Sequence, residues 1–537
     1  MAMLLAVAFL FLDFSHALPS AWFRALTWLQ FVPSLLQFFQ MLGHGLALGA
    51  YGFLVILALT LLFGRVYCSF LCPLGALKDL LSWLSAKVRR KKGRFRFAPP
   101  WTRLRYSILV VVCLSLFSGS LFFVNLLDPF SNFGRFFSDL FRPAYMLGNN
   151  ALASLFEALG SHVFYPITLA KAKPLALLVP VGMLVLVVWL ALKRGRLYCN
   201  TLCPVGTLLG LLSKVSLYKI RFDSEGCNRC GNCVFACKSQ CIDIQKKEVD
   251  FSRCVGCGNC LRACDKSGIR YAWAFARDAK KKAAPAVSAP AAQSVVPKHC
   301  PTDGGFNRRF ILGGALSVAA SVGLPKALAQ SRCKEGGEAC VAGHNSGIQE
   351  VRATQVATPP GSLGWKHFTG ACTACHLCVS ACPSGVLRPS LFEYGALGLM
   401  QPFMDFDAGF CNHACTKCGE ICPTGAILPL SVEKKQTTQV GVVRFEQDNC
   451  VVVTEGTACG ACSELCPTQA VRMVPYEGSL TLPETSPDIC IGCGACQYAC
   501  PTLPFKAIVV DGLGVHKAAQ KPKAEKLEAK PLEDFPF

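Results

Sequence analysis

The chain has 537 residues, 52% of them hydrophobic and only 16% charged, with 54 Lys and Arg against 33 Asp and Glu for a net charge of +21. That balance excludes disorder and an ordinary cytosolic enzyme, and implies that part of the chain lies in lipid. Its 33 cysteines recur at fixed short spacings, which argues for metal clusters and against a disulfide framework.

Four apolar stretches occupy the first 200 residues: Met1–Leu18, Leu46–Phe63, Ser107–Leu127 and Pro174–Leu192. At about 1.5 Å per residue the last three can cross a ~30 Å hydrocarbon core, so the expectation is four membrane spans. Asp13 interrupts the first stretch, which also lacks the charged start of a secretory signal. The loop Arg65–Arg105 holds eleven Lys and Arg, and Lys193, Arg194 and Arg196 follow the fourth stretch. The positive-inside rule places both on the cytoplasmic side and accounts for the basic excess without nucleic acid.

A twelve-residue motif occurs twice. Gly64-Arg65-Val66-Tyr67-Cys68-Ser69-Phe70-Leu71-Cys72-Pro73-Leu74-Gly75 returns as Gly195-Arg196-Leu197-Tyr198-Cys199-Asn200-Thr201-Leu202-Cys203-Pro204-Val205-Gly206. A parallel repeat of this kind implies a pseudo-twofold arrangement that brings four thiols together. Two readings stand: Cys68, Cys72, Cys199 and Cys203 form a redox or metal-binding thiol site, or they are structural turns with reduced thiols.

Next come Cys227, Cys230, Cys233 and Cys237, then Cys254, Cys257, Cys260 and Cys264. Three close cysteines on a tight loop supply three ligands to a cubane, and in two-cluster ferredoxins the fourth comes from the partner group. The expected sets are Cys227, Cys230 and Cys233 with Cys264, and Cys254, Cys257 and Cys260 with Cys237. Zinc is the competing reading, weakened by two identical adjacent groups. Lys238 and Asp265 stand where proline usually follows the fourth cysteine.

Beyond a linker rich in Ala, Lys, Pro and Ser, four more groups follow, each ending in Cys-Pro. The first two are Cys372, Cys375, Cys378 and Cys382, then Cys411, Cys415, Cys418 and Cys422. The last two are Cys450, Cys459, Cys462 and Cys466, then Cys490, Cys493, Cys496 and Cys500. They make two ferredoxin-like units, and their similar gaps leave open which groups exchange a fourth cysteine. Cys372-Thr373-Ala374-Cys375-His376 also matches the c-type haem pattern, but Cys378 and Cys382 complete a cluster group and set haem aside. His413 is read as a spacer. Cys113 reads as buried packing, and Cys333 with Cys340 as a disulfide if their side is oxidising.

The membrane half, with its Cys-x-x-x-Cys-Pro repeats and two-cluster tail, resembles the NapH family of ferredoxin-type quinol dehydrogenase subunits. The remainder, with Arg308-Arg309, Pro359-Pro360-Gly361 and four cluster groups, is similar to NapG and its relative MauM. The resemblance implies a membrane α-helical protein, with four spans plus a candidate fifth, carrying α+β ferredoxin-like [4Fe-4S] domains. Its parts would be a membrane domain at 1–221, a cytoplasmic two-cluster domain at 222–275, a linker at 276–305, and a twin-arginine-like signal or fifth span at 306–330. A periplasmic four-cluster domain at 331–512 and a disordered tail at 513–537 would complete it. It implies six [4Fe-4S] clusters and electron transfer between the quinol pool and a periplasmic reductase or c-type cytochrome, with no nucleic acid involved. An accessory factor for a periplasmic metalloenzyme, or a redox sensor, are the alternatives. No residue is singled out as a quinol site; His44, Asp128 and His162 read as ordinary loop residues.

Overall fold

The computed structural model describes residues 2–13, 18–44, 50–89, 96–167, 174–223, 226–266, 268–275 and 353–521. The linker, the Arg308-Arg309 segment with its candidate fifth span, Cys300, Cys333, Cys340 and the tail beyond 521 lie outside them.

The expectation of four spans is overturned. Among the described residues only Pro174–Arg194 is long and apolar enough to cross a membrane. The other apolar stretches are cut into short helices: Ala2–Leu12, Ala50–Phe63 and Thr102–Phe117. At 1.5 Å per residue these cover about 16, 21 and 24 Å, short of a ~30 Å core. Their ends have local causes. The chain leaves the helical path at Asp13, whose carboxylate accepts the Leu18 amide. Gly64 and Gly119 adopt left-handed φ values of 77° each just past the second and third helices, the conformation that closes a helix most readily at glycine.

Buried charge also distinguishes this half from a simple apolar bundle. Arg65, Arg105, Arg135, Arg196 and Lys78 are all buried, which folded proteins tolerate only when each charge finds partners. Arg105 donates to Ser252 Oγ at 3.0 Å and Ser252 O at 2.8 Å, tying helix Thr102–Phe117 to the loop after strand Glu248–Val249.

The cysteine-rich segments fold as nested two-stranded sheets. Strands Tyr218–Phe222 and Ile269–Trp273 pair antiparallel around an inner pair, Ile242–Asp243 with Glu248–Val249. Near the C-terminus, Thr438–Phe445 pairs with Ile508–Ala518 around Val471–Pro475 and Thr481–Thr485. Between them lies the single hairpin Leu387–Pro389 with Pro402–Met404. The last strand runs six residues past 512, the expected end of its domain. The α+β ferredoxin-like expectation is met.

Four inner loops turn through a left-handed residue just after the second cysteine of the group, whereas Thr416 and Gly460, at the same place in the second and third C-terminal groups, hold φ values of −117° and −134°. Gly231, Gly258 and Gly494 hold φ values of 84°, 70° and 81°, and each precedes a short helix. In the first C-terminal group that place is taken by His376, at φ 61°, a region where histidine is tolerated more than most non-glycine residues. The helix it opens, Leu377–Ala381, packs into the apolar core of the N-terminal half.

Candidate metal centres and a buried thiol site

Electrostatic neighbours group the cysteines into five sets. Cys422 acts on Cys372, Cys375 and Cys378. Cys382 acts on Cys411 and Cys418. Cys500 acts on Cys450 and Cys462, and Cys466 acts on Cys490, Cys493 and Cys496. The first group's sulfurs therefore lie near the fourth cysteine of the second and the third group's near that of the fourth, and the reverse, a pairing the sequence left open. In the N-terminal pair, Cys237 lies beside Cys254 and Cys260.

Cys459 departs most from the regular spacing. It follows Cys450 by nine positions, where in the other groups the second cysteine follows the first by three or four. The half-buried Cys459 nonetheless acts on both Cys450 and Cys462. The short helix Val451–Thr454 takes up the extra chain, so the wider gap loops out and leaves the three sulfurs together.

Cavities mark three of these sets. One is lined by Cys411, Cys415, Cys418 and Cys382. A second is lined by Cys490, Cys493, Cys496 and Cys466. A third has Cys254, Cys257, Cys260 and Cys237, with Cys241 beside them. Each thus joins three cysteines of one group to the last of its partner. Cages lined by four cysteines fit the thiolate donor set of an iron–sulfur cluster.

Cys241 was not singled out by spacing. It is buried, with its Sγ 3.5 Å from Cys237 Sγ. The residue stands four places after Cys237, where the run of ligand spacings has ended; only its retention of a Cys-x-x-x-Cys interval hinted at a role.

His376 settles the haem pattern. Its Nδ1 lies 2.8 Å from an Asp139 carboxylate oxygen and its Nε2 2.7 Å from the Met400 carbonyl. Both ring nitrogens are thus engaged by protein oxygens. His413 Nδ1 lies 3.3 Å from Gln436 Nε2. Asp128 is buried and caps helix Pro129–Arg135, accepting from the Ser131 amide at 2.7 Å, and His162 is exposed. The side chain of His44 lies outside the described residues.

The two repeat motifs do bring their thiols together. Cys68, Cys72, Cys199 and Cys203 are all free and buried, and Cys72 and Cys203 each feel both Cys199 and Cys68. The arrangement is reciprocal. Arg65 Nη2 donates to the Cys199 carbonyl at 3.1 Å, and Arg196 Nη1 donates to the Cys68 carbonyl. A Cβ on Gly75 would meet Cys68 O at 2.4 Å, and one on Gly206 would meet Cys199 O at 2.2 Å. Only glycine allows those backbones to approach so closely.

The Cys-Pro half of each motif does structural work. Cys203 Sγ accepts the Gly206 amide at 3.3 Å and Cys72 Sγ accepts the Gly75 amide at 3.4 Å, with Pro204 and Pro73 opening the helices that follow. The first cysteine of the second motif is different. Lys78 Nζ stands 2.6 Å from Cys199 Sγ. Burial alone would push this thiol up, but the Lys78 ammonium and the Arg196 and Arg65 guanidiniums outweigh it and hold Cys199 below the ordinary thiol range. Asp79 balances the charge, taking Arg196 Nη2 at 2.6 Å and Lys238 Nζ at 2.9 Å.

Comparison with known proteins follows the same division. The 4Fe-4S binding domain family matches residues 47–93 and 175–223, and two 4Fe-4S dicluster domain families match residues 371–427 and 456–504. The last of these takes in Cys459 and begins after Cys450. The ferredoxin-type protein NapH of Escherichia coli is 29% identical over 189 residues, 35% of this chain and 52% of that protein. The ferredoxin-type protein NapG of the same organism is 32% identical over 108 residues, 19% of this chain and 45% of that protein. The chain joins a stretch similar to NapH and a stretch similar to NapG in one fusion.

The methylamine utilization ferredoxin-type protein MauM of Methylobacillus flagellatus is also similar to the fusion, 33% identical over 105 residues, 18% of this chain and 42% of that protein. The chain spans about half the length of the curated relatives it matches. No solved structure matches it significantly. The fusion carries segments that match 4Fe-4S binding and dicluster domains.

Proposed function

We propose that the fusion passes electrons between the quinol pool and a periplasmic redox partner, a reductase or c-type cytochrome, through six [4Fe-4S] clusters. The observation that carries this reading is the exchange of fourth cysteines around shared cavities, the ligation pattern of two-cluster ferredoxins. In the N-terminal pair the ligands would be Cys227, Cys230 and Cys233 with Cys264, and Cys254, Cys257 and Cys260 with Cys237. Beyond the linker they would be Cys372, Cys375 and Cys378 with Cys422, and Cys411, Cys415 and Cys418 with Cys382. The last two sets would be Cys450, Cys459 and Cys462 with Cys500, and Cys490, Cys493 and Cys496 with Cys466. When bound, such clusters supply one-electron redox chemistry.

The chain's own part is to hold and tune. Nearly all of these cysteines are buried or half-buried, and amide donors such as Ala374 N to Cys372 Sγ and Gly492 N to Cys490 Sγ disperse thiolate charge. Helix Pro174–Arg194 would anchor the protein in the bacterial inner membrane, its basic end at Lys193 and Arg194 facing the cytoplasm with residues 222–275. The Arg308-Arg309 segment is the feature that supports a periplasmic place for residues 331–537.

Stopped-flow mixing of anaerobic protein with menaquinol or ubiquinol analogues tests the quinol step. Rapid bleaching of the cluster absorption supports it. Inertness toward both analogues would favour the accessory-factor or sensor alternatives.

A further inference from the structure

The four thiols of the repeated motifs lie between two of the cages. On one side, Arg65 Nη1 donates to Ser252 O at 2.8 Å, Ser69 Oγ to Val255 O at 2.8 Å, Asn200 Nδ2 to Ser239 O at 3.2 Å, and the Arg196 amide to Lys238 O at 3.3 Å. Those acceptors flank Cys237 and Cys254. Arg65 acts on Cys254 and Arg196 on Cys257, so one layer of guanidinium separates this cage from Cys68 and Cys199.

On the other side, Tyr198 OH donates to the Leu127 carbonyl at 2.9 Å and lies 3.4 Å from Asn132 Nδ2. Asn132 belongs to the helix Pro129–Arg135, whose Gly134 is so close to Cys375 that a Cβ there would sit 2.1 Å from the Cys375 carbonyl. Asp128, which caps this helix, acts on Tyr67, Tyr198 and Cys375 alike. A continuous buried path therefore runs from the Cys254 cage through the thiols to the Cys375 cage.

We propose that Cys68, Cys72, Cys199 and Cys203 form a dithiol/disulfide centre, with Cys199 as its reactive sulfur, that exchanges electrons with the cages on either side. The inference rests on the reading that those cages hold iron–sulfur clusters. In the reductive direction the disulfide between Cys199 and Cys203 or Cys72 takes up two electrons, delivered singly from reduced clusters, and one proton. The S–S bond breaks, Cys199 is released as a thiolate against the Lys78 ammonium, and its partner sulfur receives the proton. Oxidation reverses each transfer.

Two features favour this chemistry over a metal ion. Lys78 already occupies the open approach to Cys199, and with Arg65 and Arg196 it opposes an added cation while favouring a thiolate. Burial, with Cys199 and Cys68, pushes Cys72 up to about 12 and raises Cys203 as well, so the partner sulfur retains its proton.

The test uses full-length, anaerobically purified protein whose iron and sulfide have been counted. Samples poised across a range of potentials are quenched in acid, alkylated and mapped by mass spectrometry. A Cys199–Cys203 or Cys199–Cys72 link in oxidised samples, lost reversibly on reduction at constant iron content, is the expected result. Lys78→Met should move the midpoint of that link to lower potential without loss of iron, and Lys78→Arg should restore it. Four free thiols at every potential, or a metal ion held by them, overturns the proposal and leaves the cluster reading standing. Cages that bind no iron would overturn that reading and the proposal with it.

Discussion

His376 Nδ1 and the Asp139 carboxylate meet at 2.8 Å across 237 residues of chain. The contact fastens the first C-terminal cage to the N-terminal half, and it holds His376 in a left-handed conformation that three of the other groups give to glycine. Asp139→Ala leaves a buried ring nitrogen without its acceptor, which costs roughly 1–3 kcal/mol. Hydrogen exchange at residues 372–382 should rise accordingly, with no change at residues 471–485. Unchanged protection at 372–382 would contradict the role of this contact.

Cys422 and Cys382 separate the exchanged arrangement from a simple one in which each group fills its own cage. Cys422→Ala should empty the cage of Cys372, Cys375 and Cys378, and Cys382→Ala the cage of Cys411, Cys415 and Cys418. Each variant should lose about four irons. Spectroscopic assignment of the lost cluster to the mutated group's own cage would contradict the exchange.

The spacing of the cysteines was legible because a ligand loop is a local object: three sulfurs on one turn must recur at fixed intervals. Cys459 could still be grouped despite its wide gap, because the intervals after it are regular. The exchange was not legible, since it depends on how distant loops pack. The spans were misread for a related reason. An apolar run does not register where Asp13, Gly64 or Gly119 ends a helix, and length along the sequence then overstates length across a bilayer. Arg65 and Arg196 had a usable signal, each standing three residues before the first cysteine of its repeat. Lys78 had none, because its contact with Cys199 spans 121 residues.

Cys241 sits 3.5 Å from Cys237 Sγ and is also hydrogen-bonded to Cys254. A donor to a ligand sulfur stabilises the more negative, reduced state of a cluster. Cys241→Ala should therefore lower the potential of that cluster while leaving iron content unchanged, as read by redox-poised EPR. Loss of the cluster would make Cys241 a ligand.

Gly494 offers a steric test. A Cβ there would stand 1.9 Å from Phe406 Cδ1, on a backbone already at φ 81°. Gly494→Ala should lose about four irons from the Cys490 cage. Gly460→Ala, whose nearest neighbour is the end of the flexible Glu464 side chain at 3.5 Å, should keep them all.

Burial pushes the His516 imidazole down to about 4, while its ring nitrogen lies 2.9 Å from Thr358 Oγ1. A depressed histidine favours the folded state fully above its ordinary value of 6.5, and that contribution is lost as pH falls toward 4. His516→Gln should flatten the fall in thermal midpoint between those pH values. A fall of equal size in both proteins would remove His516 as its cause.

The central claim is that the paired cysteine groups hold cubane clusters. Iron and sulfide counts on anaerobically reconstituted protein, read with EPR of the reduced state, test it most directly. The account predicts about twenty-four irons per chain and overlapping cubane signals from neighbouring clusters. Far fewer irons after full reconstitution, or no cubane signal on reduction, would contradict it.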